Sequence, residues 1–172
     1  MDLWKAAPRA PKREVAGQVS LWDWSLGAYA RPGVEALCLE LQDEHGQCVS
    51  YLLWAAWAAA EGRAADVGAL ARAADIARAW ERSVVGPLRS VRRALADPKP
   101  GLAPAGQRSL RIRIKAEELA SERLLLEALE PIAPPRGEKP LDLRRALAEA
   151  AAAWGPAPAN LIEALARAFS AD

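Results

Sequence analysis

The sequence predicts an all-α protein: a single multi-helix bundle around one central apolar helix, with a C-terminal helical hairpin. Three observations carry that expectation. The stretch Gln47 to Glu61, QCVSYLLWAAWAAAE, is apolar in nearly every direction around a helical wheel, so it needs neighbours on most sides. Hydrophobic residues make up 52% of the chain, and alanine, the strongest helix former, supplies much of that share. Glycines and prolines sit where the apolar period lapses, as expected of helix ends. A chain of 172 residues fits one domain and can bury about 70% of its unfolded surface. Its 7 tryptophans, against 1 phenylalanine, are expected to supply the core volume that alanine does not.

Residues 1–18, with Pro8, Pro11 and Lys12-Arg13, lack an apolar period and read as a flexible N-terminal arm. A helical core domain is expected over 19–130. Ser20 can cap a first helix, Leu21 to about Ala30, with Asp23 three positions on and Val19 stapled against Trp24. Pro32 suits the first turn of a second helix that runs to His45, with Val34, Leu37, Cys38 and Leu41 on its apolar face. Gly46 is a natural left-handed cap, and the central helix follows at once. Gly62 ends it, and Asp66 caps the next, whose expected buried stripe is Val67, Leu70, Ala74, Ala77 and Trp80.

Gly86-Pro87 is expected to break the chain there. Beyond it Leu88, Val91 and Leu95 predict a short helix presenting Arg89, Arg92 and Arg93 on its opposite side. A Pro/Gly-rich connector, 97–106, leads to one long helix over 107–130; the alternation from Leu110 to Ile114 would also suit a strand. A linker, 131–140, then separates a loosely attached hairpin, 141–172. Its first helix shows Leu143, Leu147, Ala150 and Trp154 on one face, and Asn160 with Glu163 can cap its second.

LWDW at 21–24, YARPGVE at 29–35, CLELQDEHGQCV at 38–49 and LLWAAW at 52–57 together resemble a group of short proteobacterial proteins known only as conserved hypothetical, a domain of unknown function. The resemblance is specific from Leu21 to Leu95 and looser over KAEELASERLLLEAL at 115–129; the tail beyond Pro131 lies outside it. It implies one folding unit in a bacterial cytosol, and it brings no activity, cofactor or catalytic residue.

Net charge is +1, but residues 82–115 carry 9 basic groups and 1 acidic one inside an otherwise mildly acidic chain. That asymmetry points to an acidic partner. Arg89, Arg92 and Arg93 on one helix, and Arg108, Arg111 and Lys115 at helical spacing on the next, are the expected partner-binding residues. The competing expectation is a surface neutralised from within by Glu117, Glu118 and Glu122. Aromatics to stack on bases are absent here, so sequence-specific recognition of nucleic acid is not expected, and non-specific binding is a secondary candidate.

A second constellation is Asp43, His45 and Cys48 around the hairpin turn, beside Trp22, Trp24, Trp54 and Trp57, which could line an apolar pocket. His-x-x-Cys offers two zinc ligands and Asp43 a third, but Cys38 lies two turns away and a closed site lacks its fourth ligand. Cys48 at a helix start could instead be a nucleophile activated by His45. The plainer reading keeps His45 as a helix-end residue and the tryptophans as core. No metal and no cofactor is expected.

Two cysteines make no disulfide framework, and neither a leader peptide nor a membrane-length apolar run is seen. The chain is therefore expected to be a cytoplasmic, non-catalytic interaction or regulatory protein that binds an acidic partner through its basic helices. A small-ligand or metal-binding protein, or an enzyme, using Asp43, His45 and Cys48 is the alternative.

Overall fold

The computed structural model describes residues 19–170, and the expected flexible arm, 1–18, lies outside them. These residues form eight α-helices: α1 (Leu21–Tyr29), α2 (Val34–Asp43), α3 (Val49–Ala60), α4 (Val67–Trp80), α5 (Gly86–Ala94), α6 (Pro104–Leu129), α7 (Leu143–Trp154) and α8 (Ala159–Ser170). No strand occurs among the described residues, so the alternating segment 110–114 is helical.

α3 is the axis of the bundle. Every residue from Ser50 to Ala59 is buried, with Trp54 and Trp57 at 0% and 1% exposure. α1, α4, α6 and α7 pack around it, and α8 closes over α2 and α7. The tryptophans fill volume and also satisfy backbone. The indoles of Trp57, Trp80 and Trp154 donate to the carbonyls of Val19, Ser121 and Gly46 at 3.1, 2.9 and 2.8 Å. Each indole ties its helix to a distant part of the chain.

Local chemistry sets the helix ends. Ser20 accepts from the Asp23 amide at 3.1 Å, as expected, while the Leu21 amide donates to Glu130 at 3.0 Å. Val19 is nearly half exposed, and its carbonyl serves Trp57. Pro32 does not open α2. Gly33 intervenes at φ 82°, a conformation outside the helix, so α2 starts at Val34 and ends before His45. Asp66 caps α4 through the Ala69 amide at 2.7 Å. Val67 leaves the expected stripe and is 83% exposed, because the buried face centres on Ala73 and Ala77 and Val67 falls about a quarter turn to its side.

Gly86-Pro87 does not break the chain. α4 passes through a π-helical turn, Glu81–Val85, directly into α5. Pro87 has no N–H for the Ser83 carbonyl and its ring would strike that group in an α-helix. Widening the turn by one residue removes the clash, and the Gly86 amide bonds Glu81 O instead. A Cβ on residue 86 would lie 2.8 Å from that same oxygen, so the turn requires glycine there.

The expected linker is a strap. Arg63 donates to the Pro134 carbonyl at 2.9 Å, the Gly137 amide to Gly62 O at 3.0 Å and the Leu141 amide to Ala59 O at 2.9 Å. Beyond it α7 seats Leu147 and Ala150 on α3, both fully buried, and Trp154 meets the Tyr51 ring in a tilted contact at 5.7 Å. The expectation of a loosely attached hairpin is thus corrected: α7 and α8 complete the same core as α1–α6. α8 begins at Ala159, so Asn160 lies in its first turn rather than at its cap.

Candidate functional site

α5 is the element on which the sequence reading and the structure part most sharply. The helix lies on α6 with Arg89 and Arg92 turned inward, their side chains 12% and 17% exposed, while Val91 faces water at 46%. The expected partner-binding surface therefore loses these two arginines to the interior. The reason is a complementary spacing: Arg89 and Arg92 recur at i, i+3, and Glu118 and Glu122 of α6 at i, i+4, so both sets share one contact line.

Arg89 meets three carboxylates. Its Nε lies 3.2 Å from Glu118, its Nη2 3.5 Å from Glu122, and its Nη1 binds Glu81 from the π turn. Arg92 grips Glu118 with two nitrogens, Nη2 at 3.3 Å. Glu118 is 1% exposed, and these guanidiniums are what permit so deep a carboxylate. Tyr29 of α1 and Cys48 lie in the electrostatic field of this cluster.

Burial pushes the Glu122 carboxyl up to about 7, with Arg89 opposing and the charges of Glu118 and Glu81 adding to the rise. Burial likewise holds Cys48 at about 12 and Cys38 at about 12, and raises Tyr29. The helix-start position of Cys48 does not yield a thiolate, because the thiol is sealed in the core. Its role as a nucleophile is corrected on that ground.

The other members of that constellation disperse. Asp43 pairs with Arg93, an exposed contact. His45 gathers Glu40 and Glu44, with ligand atoms all within 4.8 Å of one another, rather than Asp43 and Cys48. Trp54 and Trp57 are closed inside the core, Trp22 is 5% exposed, and Trp24 meets Phe169 edge-on at 5.5 Å. Open grooves of about 710 and 630 Å³ flank α7 instead, lined by alanines with Arg145 at the rim.

What remains outward is the far end of the α5–α6 arm. Gln107 clamps the connector there, donating to the carbonyls of Leu95 and Asp97 at 3.1 and 2.6 Å and accepting from the Lys99 amide at 3.0 Å. Arg108, Ile112 and Lys115 recur at i, i+4, i+7 and share one side of α6. Arg111 turns toward α5 and donates to the Arg92 carbonyl at 3.4 Å. Leu102, Leu110 and Ile112 are 58%, 39% and 68% exposed among these cations.

Among the described residues no helix is long and apolar enough to cross a membrane. No curated protein and no solved structure is significantly similar to the chain. A family model does match, over residues 20–129, which takes in α1 to α6 and leaves the strap and the closing hairpin outside. The chain belongs to that family, described as a protein of unknown function, DUF2390.

Proposed function

We propose that this protein is a non-catalytic helical interaction module whose α5–α6 arm binds an acidic partner protein. One observation carries the reading: residues 104–115 of α6 hold Arg108, Arg111, Arg113 and Lys115, no acid, and the exposed Leu110 and Ile112. Cations alone would suit any polyanion. Large apolar side chains among them favour a protein face that offers carboxylates and apolar groups together. The arm has no aromatic residue to stack on bases. Arg93 joins the surface readily, because its exposed pair with Asp43 contributes at most about 1 kcal/mol. Free, buried Cys38 and Cys48 suit a reducing bacterial cytoplasm, and a regulatory role follows from binding without chemistry.

The test uses a labelled amphipathic peptide rich in Glu and Leu, with duplex DNA as competitor. Changing Arg108, Arg111 and Lys115 together to glutamate is expected to weaken peptide binding roughly tenfold or more, with helicity retained. Wild-type binding should also fall with salt. Peptide binding unchanged by the triple substitution defeats the reading, and preference for the duplex transfers the surface to nucleic acid.

A further inference from the structure

The side chains that meet under α5 carry unequal numbers of acids and bases. Three carboxylates, Glu81, Glu118 and Glu122, converge on two guanidiniums, Arg89 and Arg92, in a space that is largely closed to water. Fully ionised, the set carries one negative charge in excess. Glu118 and Glu122 stand four residues apart on one helix, where like charges repel. Glu122 also shares its surroundings with Tyr29 of α1 and with Cys48 at the start of α3, and behind Tyr29 stand Cys38 and Glu35 of α2. The tyrosine and both thiols stay protonated and neutral through neutrality, so none of them adds to the negative charge or offsets it.

We infer that this cluster is a proton-binding latch: one proton held among Glu122, Glu118 and Glu81 keeps α5 seated on α6, and its loss loosens α5. With the proton bound, two carboxylates face two guanidiniums, and each ionised group has a partner. Without it, Arg89 is divided among three anions and the junction carries net repulsion. The π turn gives this change somewhere to go. Glu81 belongs to that turn, and the turn joins α5 to α4 with a hydrogen-bond register unlike either helix. π turns inside α-helices frequently coincide with functional sites. The elevated carboxyl of Glu122 agrees with the same charge count.

Amide hydrogen exchange on the full chain tests this without any partner. Rates at about pH 6 and about pH 8.5, corrected for the chemical step, should show α5 several-fold less protected at the higher pH, with α3 unchanged. Glu122→Gln should hold α5 at its acid-side protection at both values, and Glu81→Gln, which restores the same balance, should act in the same direction. Equal α5 protection of the wild type at both values overturns the latch, as does a Glu122→Gln protein that keeps the wild-type response. Carboxyl-carbon NMR of the unmodified protein gives a reading independent of any substitution. One cluster carboxylate titrating near neutrality is expected; all three titrating below about pH 5 overturns it.

Discussion

Glu122 stands one turn along α6 from Glu118, and both reach the guanidinium of Arg89. Its acid form is favoured by the fold, since burial lifts it from an ordinary 4.5 to about 7. The folded chain therefore holds a proton that the unfolded chain releases between those two values. The resulting stability is fully present below about pH 4.5 and is lost as pH rises through about 7. Thermal melting of Glu122→Gln should show a Tm about 3 °C or more above the wild type at alkaline pH, with the two curves converging under mild acid. A wild-type Tm that climbs from neutral to alkaline pH would contradict the assignment.

At the scale of elements, α5 teaches why periodicity alone misplaced a face. Leu88, Val91 and Leu95 are spaced for burial, yet only Leu88 and Leu95 are half-buried while Val91 is exposed, and Arg89 and Arg92 are covered beside them because α6 offers carboxylates along that line. The signal was present as two matched spacings on consecutive helices, but a hydrophobicity pattern weighs each helix separately. Helix existence, the Ser20 and Asp66 caps and the buried α3 were legible because each follows from residues within a few positions. The π turn was not, since it resolves a steric conflict at Pro87 in a way visible only in three dimensions. Glycine substitution checks that account. Gly86→Ala should lower stability by about 1–3 kcal/mol, the cost of forcing a methyl group against Glu81 O. Gly106→Ala, in open space within α6, should raise it by about 0.5–1 kcal/mol. Equal melting shifts for the two proteins would remove the steric explanation.

For the molecule as a whole, the family-matched stretch 20–129 does not close its own core. α7 covers one side of α3, and Gln47 donates to the Gly155 carbonyl across that seam at 3.0 Å. Gly62 and Gly137 cross so closely that a Cβ on either would sit 2.5 or 2.6 Å from a carbonyl oxygen of the other strand of chain. A protein ending at residue 130 should bind a hydrophobic dye and self-associate in sedimentation, because Tyr51, Ala55 and Ala58 lose their cover. A monomeric, dye-silent truncation would show that α1–α6 form an independent unit. The hairpin was foreseen as a hairpin but not as a lid on the core. The apolar face of Leu143, Leu147, Ala150 and Trp154 was legible, but the helix on which it seats was not, because the pattern within one helix does not name its partner.

The order of synthesis gives the buried α3 a further consequence. On the ribosome its tryptophan face is complete once Ala60 emerges, whereas its last covering residue, Trp154, arrives 94 positions later. At roughly 5–20 residues per second, the side of that helix that α7 covers waits on the order of 5–20 s for its cover, although α1 precedes it and α4 and α6 emerge in between. Nascent chains of this protein are thus expected to expose the Tyr51 side of α3 until α7 has been made.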